Sequence, residues 1–230
     1  IHDGRQVAAY ARNRVERLAL EPALDAAGHR ARVRVPCGHE TIAVEAWKVR
    51  VGHVDVFLLD TDLPANRPEH RALTHRLYGG GHGSRILQEV VLGIGGVRML
   101  RALGIDPEVF HMNEGHAAFL ALELWAEGLM RGEAYEDAWD AIRPRCVFTT
   151  HTPVAAGHDR FGWHEVDPVL GPWRHLLGLH PGAFMDRGRI RPADVDEPLC
   201  MTVLGMRASR EINGVSALHG EVTRRMWHDL

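Results

Sequence analysis

Residues 31 to 60 alternate between apolar and polar side chains, and many of the apolar ones are β-branched. Three segments share this pattern, and they are 31–35, 42–49 and 54–59. β-branched side chains fit a pleated, half-buried surface, so the pattern predicts three strands. A turn near Pro36 and Gly38 would join the first two. Before them, residues 6–21 have the composition of a helix.

A helical period replaces the alternation after residue 60. Residues 61–67 form a polar loop, and 68–78 have helical spacing. From Arg85 onward one broad apolar face recurs at helical intervals, with the members Ile86, Leu87, Val90, Val91, Ile94 and Val97. Three glycines interrupt this predicted helix, namely Gly93, Gly95 and Gly96. Because a glycine costs ~1 kcal/mol relative to alanine in a helix, they predict close approach of another backbone, or else a kink.

The middle of the chain has the pattern of a strand, two helices and a second strand. Residues 108–112 and 146–149 are the predicted strands, and the second helix covers 135–142. The inward face of the first helix would consist of Ala118, Phe119, Leu122, Trp125, Ala126 and Leu129. A unit of this length is typical of a parallel crossover, so we expect an α/β fold with parallel strands flanked by helices.

The last third alternates between irregular and helical stretches. Residues 157–198 are rich in Gly, Pro, Trp and His, and we expect a surface excursion of loops and short helices there. Two helices are predicted over 199–211 and 215–227. The tripeptide Ile212-Asn213-Gly214 would separate them, because Asn-Gly is a strong helix breaker.

Composition and charge are those of an ordinary globular protein. The 230 residues are 45% hydrophobic and 25% charged, with a formal net charge of -3. No basic surface therefore favours nucleic acid or a membrane as a partner, and no run of ~20 apolar residues could span a bilayer. Three widely spaced cysteines suit reduced thiols in the cytoplasm, and they are Cys37, Cys146 and Cys200. The first residue is isoleucine and not methionine, so we expect this sequence to be a piece of a longer chain.

A polar loop follows the first central strand. Asn113 is placed to cap the next helix, which would leave backbone N–H groups facing a ligand oxygen. Glu114 and His116 would then bind sugar hydroxyls. The alternative is that Asn113 only caps the helix and that His116 is a satisfied, partly buried histidine.

A second polar loop, Thr149-Thr150-His151-Thr152-Pro153, follows the second central strand. Ligands of open α/β sheets bind beyond the carboxyl ends of the strands, so His151 would point into the same crevice as the first loop. There it could act as a general acid or base, or donate a hydrogen bond to a sugar oxygen. The alternative is that the threonines simply end a strand.

A glycine-rich segment, Tyr78-Gly79-Gly80-Gly81-His82-Gly83-Ser84, precedes the long helix. It could cradle a phosphate, act as a mobile gate over a cleft, or form a plain linker. It lacks the ending of a nucleotide-binding P-loop. Arg85, which follows it, is a cation that could meet a phosphate. The spacings typical of metal ligands and the nucleophile motif of a Ser-His-Asp hydrolase are missing, so neither chemistry is expected.

Three longer blocks of the sequence carry most of these features. They are LYGGGHGSRILQEVVLGIGGVRMLRALGIDPEVFHMNEGHAAFLALE, CVFTTHTPVAAGHDRF and REINGVSALHGEVTRRMW. In residue identity, order and spacing, these blocks resemble successive motifs of the glycogen (α-glucan) phosphorylase family, especially its short bacterial branch. The resemblance covers about residues 40–230.

The resemblance implies an α-1,4-glucan phosphorylase, which converts a terminal α-1,4-linked glucose and inorganic phosphate to glucose 1-phosphate. It also implies a glycosyltransferase-B architecture of two Rossmann-like domains with the catalytic cleft between them. Residues 1–230 would be a single partial domain, the later part of the N-terminal one. Pyridoxal 5'-phosphate would be held by a lysine of the C-terminal domain, which is not in this chain.

The resemblance assigns roles to individual residues as well. His151 would be catalytic, through contact with the glucosyl unit at the reacting site. Substrate-binding positions beside the same cleft would be Asn113, Glu114, His116 and Thr150. The gate loop would comprise Tyr78, Gly79, Gly80, Gly81 and Arg85. Bacterial relatives often have an acidic residue after the paired glycines, where this chain has Gly81-His82-Gly83. The resemblance therefore implies a gating role for the loop, and no charge-switch mechanism is carried over.

Lys48 is the only lysine in the sequence, and it resembles no cofactor site. The glycine-rich phosphate-binding turn of the family is missing too. We therefore expect the isolated chain to be inactive, with the C-terminal domain of the same protein as its partner. A homodimer is a further candidate partner. If the fragment lacks early strands of its sheet, exposed apolar edges would favour association, so a dimer of the isolated chain need not be physiological. The alternatives are a non-catalytic glucan-binding or regulatory remnant, and another two-domain glycosyltransferase that uses nucleotide sugars.

Overall fold

The computed structural model describes residues 18–76 and 82–230. The strands of these residues are β1 (Glu21–Pro22), β2 (Arg32–Cys37), β3 (Glu40–Val51), β4 (Val54–Asp60), β5 (Phe110–Asn113), β6 (Cys146–Thr150), β7 (Arg160–Phe161), β8 (Leu199–Cys200) and β9 (Glu211–Gly214). The α-helices are α1 (Pro68–Arg71), α2 (His82–Val90), α3 (Gly96–Ala102), α4 (Leu120–Met130), α5 (Tyr135–Asp140), α6 (Trp163–Leu176), α7 (Pro181–Asp186), α8 (Met201–Arg207) and α9 (Ala217–Met226).

The first sheet is antiparallel and confirms the three strands predicted between residues 31 and 59. β3 is its central strand, and β1, β2 and β4 all pair with it. Val35 and Ile42 face each other across β2 and β3 and are fully buried. Of the helix predicted at 6–21, residues 6–17 lie outside the described part of the chain. The following residues are not helical, because Glu21 and Pro22 pair with β3.

The long helix predicted after residue 85 is confirmed. It consists of α2, a π-helical turn over Val91–Gly95, and α3. A Cβ atom at Gly93 would lie 2.7 Å from the backbone nitrogen of Leu120, so the predicted close approach of another backbone explains this glycine. Around Gly96 there is open space instead, with nothing within 4 Å of a Cβ atom.

The helix predicted over 68–78 is much shorter, because α1 ends at Arg71. The Thr74 hydroxyl accepts a hydrogen bond from the backbone N–H of Thr61 at 3.2 Å and donates one to Asp60 at 3.3 Å. These contacts hold the chain in a turn against the first sheet. Threonine side chains often compete with helix formation in this way.

The second sheet is parallel, with the strand order β5-β6-β9. It confirms the predicted strand–helix–strand unit, since α4 and α5 lie between β5 and β6 along the chain. α8 packs against β6, where a Cβ atom at Gly205 would meet the Phe148 ring at 2.7 Å. Parallel strands flanked by helices are consistent with a Rossmann-like α/β domain, as predicted.

Strand β9 corrects the prediction that residues 212–214 only separate two helices. Ile212 and Asn213 pair in register with Phe148 and Thr149 of β6. The helix predicted over 199–211 is shorter for the same reason, and α8 covers only Met201–Arg207. A strand this short has too few residues to show a period, and only its pairing with β6 satisfies its backbone groups.

Residues 157–198 contribute to the core and do not form the surface excursion that was predicted. Their buried side chains include Phe161, Val166, Leu170, Trp173, Phe184 and Met185. Trp173 donates a hydrogen bond from Nε1 to the carbonyl oxygen of Pro36 at 3.3 Å, which joins α6 to the first sheet. Two prolines within α6 lower its helix propensity. Burial of several large apolar side chains, worth roughly 1.5–3 kcal/mol each, outweighs that cost.

One buried apolar cluster connects the two sheets and contains all three cysteines. None of them forms a disulfide, as predicted. Burial raises the pKa of Cys37 and of Cys146 to about 12, so these groups are protonated thiols at neutral pH. Within residues 18–76 and 82–230, no helix is long and apolar enough to cross a membrane.

Candidate functional site

The two polar loops meet at one edge of the parallel sheet. Asn113 is the last residue of β5, and His151 directly follows β6, the neighbouring strand. The Nε2 atom of His151 lies 2.6 Å from Oδ1 of Asn113, and both residues are exposed. The structure therefore brings these two side chains together at one edge of the sheet, as the sequence predicts.

Asn113 does not cap a helix, contrary to the prediction. The short 3₁₀ helix that follows, Gly115–Ala117, has Glu114 at its N-cap position and no side-chain cap. Asn113 is still paired with Thr149 in the sheet. Glu114 has a φ of 70°, and this left-handed residue separates Asn113 from the helix. The Asn113 side chain is thus available to His151.

Glu114 and Thr150 are both buried. The Oε1 atom of Glu114 accepts hydrogen bonds from the hydroxyl of Thr152 at 3.0 Å and from that of Thr150 at 3.4 Å. The backbone N–H of His151 donates to the same oxygen. These two predicted sugar-binding positions are occupied by contacts within the protein, and their role in binding substrate stays a prediction.

A third strand end joins the site, which the sequence reasoning missed. His111 Nε2 lies 2.7 Å from the hydroxyl oxygen of Thr149, and this hydroxyl donates to Asn213 Oδ1 at 2.8 Å. The contacts form a polar row across β5, β6 and β9. The signal in the sequence was Asn213-Gly214 after an apolar residue, but it points to a strand end only once β9 is recognised.

His116 belongs to an ionic cluster that consists of Arg85, Glu89, His116 and Asp159. The Arg85 guanidinium donates to Asp159 at 2.9 Å and lies 2.7 Å from Nδ1 of His116. Oε1 of Glu89 lies 3.3 Å from Arg85 Nε and 3.4 Å from His116 Nδ1. Glu89 is only 1% exposed, whereas His116 is partly exposed.

Sequence reasoning found Arg85 and His116 but missed the two carboxylates of the ionic cluster. Glu89 had a usable signal, since it lies four residues after Arg85 on one helix, where opposite charges meet. Asp159 had none, because it is 74 residues away from Arg85. The cluster therefore joins α2 to His116 of the first polar loop and to Asp159, through contacts that are remote in the sequence.

The surroundings shift the pKa of three groups in the ionic cluster. Burial raises the pKa of Glu89 to about 8. Hydrogen bonds to Asp159 and Glu89 raise the pKa of His116 to about 9, although the nearby Arg85 opposes its positive charge. Burial disfavours ionised Asp159, but hydrogen bonds involving His116, Glu89 and Arg85 outweigh this and hold its pKa well below the usual range. At neutral pH, Glu89 is therefore protonated and Asp159 ionised.

Three residues of the ionic cluster could in principle hold a metal ion. Glu89, His116 and Asp159 each offer one ligand atom, and these atoms lie within 4.8 Å of one another. The Arg85 guanidinium, however, is within hydrogen-bond distance of two of them. A divalent cation would have to displace this positive charge. The cluster is better suited to hold a proton and anchor Arg85, and the expected absence of a metal stays a prediction.

Most of the predicted gate loop cannot be compared with the structure. Tyr78, Gly79, Gly80 and Gly81 lie outside the described residues. Arg85, the remaining member, lies on α2 and binds Asp159.

Comparison with known proteins gives a consistent set of relatives, although no family model matches the sequence. The chain is 39% identical over 228 residues to maltodextrin phosphorylase of Thermococcus litoralis, which covers 99% of this chain and 27% of that protein. It is 40% identical over 239 aligned positions to glycogen phosphorylase of Mycobacterium tuberculosis. This alignment covers 99% of this chain and 28% of that protein. Glycogen phosphorylase of Aquifex aeolicus is 31% identical over 225 residues, and the alignment covers 98% of this chain and 32% of that protein. The chain thus spans about a third or less of these curated relatives.

Proposed function

Since this chain matches, over nearly its whole length, a fragment of the maltodextrin and glycogen phosphorylase family, we propose that the protein carrying it is an α-1,4-glucan phosphorylase. The reaction transfers the terminal glucose of a glucan to inorganic phosphate and releases glucose 1-phosphate. Residues of this chain would form one wall of the glucosyl pocket. They would belong to the later part of the N-terminal Rossmann-like domain.

The pair formed by His151 and Asn113 is the observation that supports this proposal most. Nε2 of His151 lies 2.6 Å from Oδ1 of Asn113, and this contact fixes the orientation of the imidazole ring. The pair is exposed beyond the carboxyl ends of two parallel strands, where open α/β sheets bind ligands. An imidazole held in this way can bind a sugar hydroxyl and keep the glucosyl unit in the reacting position.

The other predicted site residues differ in exposure, and we expect their roles to differ accordingly. Asn113 is exposed and would contact the sugar directly, together with the partly exposed His116. Thr150 and Glu114 are buried and would act through the loop that carries His151. Arg85 would connect the gate loop to this wall through its ion pair with Asp159.

The resemblance implies pyridoxal 5'-phosphate, but the residues of this chain do not fit that cofactor. A lysine that forms a Schiff base must lose its proton, which burial or a neighbouring cation favours. Lys48 instead forms an ion pair with Glu21 at 2.8 Å, and the hydrogen bond to Glu21 raises the pKa of Lys48. The cofactor would accordingly be bound by residues outside this chain.

Replacement of His151 tests the proposed function in the complete protein. We expect His151→Ala to lower phosphorolysis of maltooligosaccharides by about 100-fold or more, because the glucosyl unit loses its oriented partner. Glucose 1-phosphate release under saturating phosphate is the measurement. Since His151 is exposed, the melting temperature should stay close to that of the wild type.

His29→Ala is a matched control, because the His29 side chain is 81% exposed and lies in the turn before β2. It should leave turnover unchanged. Wild-type turnover in the His151→Ala variant would remove His151 from the site. If the wild-type protein released no glucose 1-phosphate at all, the proposed function itself would be wrong.

A further inference from the structure

The carboxylate of Glu114 faces the protein interior, although it lies at the sheet edge where a sugar would bind. The residue is only 8% exposed. Its Oε1 atom accepts hydrogen bonds from the Thr152 hydroxyl at 3.0 Å, from the Thr150 hydroxyl at 3.4 Å, and from the backbone N–H of His151. One oxygen thus accepts hydrogen bonds from three consecutive residues, namely the last residue of β6 and the two that follow it.

The backbone of Glu114 makes a second connection to the same loop. Its N–H donates to the carbonyl oxygen of Thr149 at 2.9 Å. Its φ of 70° is uncommon for a residue with a side chain, and such strain persists only where the surrounding contacts enforce it. The contacts to Thr149 and to the next three residues are of that kind.

We propose that Glu114 is a positioning residue that orients His151 and does not bind the sugar itself. Two consecutive residues hold His151 at two points. Asn113 binds the imidazole ring, and Glu114 binds the backbone N–H. This inference deepens the proposed phosphorylase function, on which it rests, by assigning a role to a buried residue.

The chemistry of the site explains why an ionised acceptor suits position 114. The three groups directed at Oε1 are two hydroxyls and one amide N–H, and an ionised carboxylate is an acceptor only. Hydrogen bonds to an ionised acceptor are roughly twice as strong as those between neutral groups. Glu114→Gln keeps the size and one acceptor oxygen but removes the charge, so it is the smallest informative change.

The experiment measures two quantities in the complete protein. The first is hydrogen–deuterium exchange of the 149–153 segment, which does not depend on activity. The second is kcat and KM for phosphorolysis of maltooligosaccharides. Glu114→Gln should speed exchange at His151 at least about tenfold. It should also lower kcat by about 10- to 100-fold with KM nearly unchanged, because a displaced His151 affects the transition state more than substrate binding.

Glu197→Gln is the matched control for a buried carboxylate that binds backbone N–H groups. Glu197 is 7% exposed and accepts hydrogen bonds from the backbone of Ile190 and Arg191, both at 2.9 Å. It should lower stability and leave exchange of the 149–153 segment and kcat unchanged. If it reproduced the effects of Glu114→Gln, those effects would come from general destabilisation, and the proposal would be overturned.

Other outcomes decide the question as well. A raised KM with unchanged kcat and unchanged exchange would show that Glu114 binds the sugar, against the proposal. If Glu114→Gln did not fold, Glu114→Gly would replace it, since glycine adopts a positive φ without strain, with the same faster exchange expected. If the wild type did not phosphorolyse glucans, the proposed function would fail, while exchange at His151 would still decide the positioning role.

Discussion

Side chains of this protein meet across long distances in the sequence, and these contacts define its candidate site. Asn113 and His151 are 38 residues apart, Thr149 and Asn213 are 64 apart, and Arg85 and Asp159 are 74 apart. Sequence reasoning predicted that the two loops share a crevice, because both follow parallel strands. It could not predict that Glu114 turns inward, because this depends on a left-handed backbone and on donors from another loop.

The ionic cluster predicts how stability depends on pH. The pKa of Glu89 rises from an ordinary 4.5 to about 8, and that of His116 rises from 6.5 to about 9. The folded protein therefore binds protons that the unfolded chain releases. The stabilisation from Glu89 is complete below about pH 4.5 and is lost as the pH rises through 8. The stabilisation from His116 is complete below about pH 6.5 and is lost as the pH rises through 9.

The melting temperature should accordingly fall between pH 6 and pH 9, and thermal unfolding across this range is the measurement. Each proton contributes at most about 1.4 kcal/mol per pH unit to the free energy of unfolding. Glu89→Gln should flatten the profile, because glutamine has no proton to lose. Glu108→Gln is the control, since Glu108 is exposed and should leave the slope unchanged. A wild-type melting temperature that is constant or rises across this range would refute the assignment.

At the scale of elements, the hydrophobic period was sufficient to predict a strand or a helix where it extended over enough residues. The strands between residues 31 and 59 and the helix from Arg85 follow the predicted pattern closely. Among the elements that escaped prediction, β9 and α6 did so for different reasons. β9 is too short to show a period. α6 contains prolines that argue against a helix, and only tertiary burial compensates for them.

Two glycines of the long helix should respond in opposite ways to the same substitution. At Gly93 a Cβ atom would lie 2.7 Å from a backbone nitrogen of α4, so Gly93→Ala should destabilise the protein by about 1–3 kcal/mol. At Gly96 no atom lies within 4 Å of a Cβ, and φ is −62°. Gly96→Ala should therefore stabilise by about 0.4–1 kcal/mol.

Chemical denaturation of the two alanine variants measures both changes, and each variant serves as the control for the other. Both add one methyl group to the same long helix, so a general effect of the substitution would move both free energies of unfolding in one direction. Equal destabilisation at Gly93 and Gly96 would show that backbone contact with α4 does not explain the glycine at position 93.

At the scale of the whole molecule, one core joins an antiparallel sheet to a parallel sheet, and the candidate site lies at the edge of the parallel one. The chain spans 27% and 28% of the length of two phosphorylase relatives. Its only lysine lies on the first sheet and is paired with Glu21. Under the proposed function, this chain would supply one wall of the sugar pocket, and its single lysine does not suit the cofactor.

We expect the isolated chain to release no glucose 1-phosphate from maltooligosaccharides and phosphate, even with pyridoxal 5'-phosphate added. Calorimetric titration with maltooligosaccharides should show no strong binding, because one wall of a pocket buries little of a sugar. Circular dichroism would first establish that the isolated chain is folded. Strong binding without turnover would instead favour a glucan-binding remnant, and turnover would contradict the expectation that the cofactor lies outside this chain.

The sequence by itself determined the α/β class, the three strands of the first sheet, the crossover between β5 and β6, and the convergence of the two polar loops. These features depend on local periodicity and on the geometry of parallel strands, which short stretches of sequence encode. Only the tertiary structure decided the pairing of β9, the burial of residues 157–198, the inward turn of Glu114 and the ionic cluster. Each of these depends on a partner that is distant along the chain, and its free energy exists only once the chain has folded.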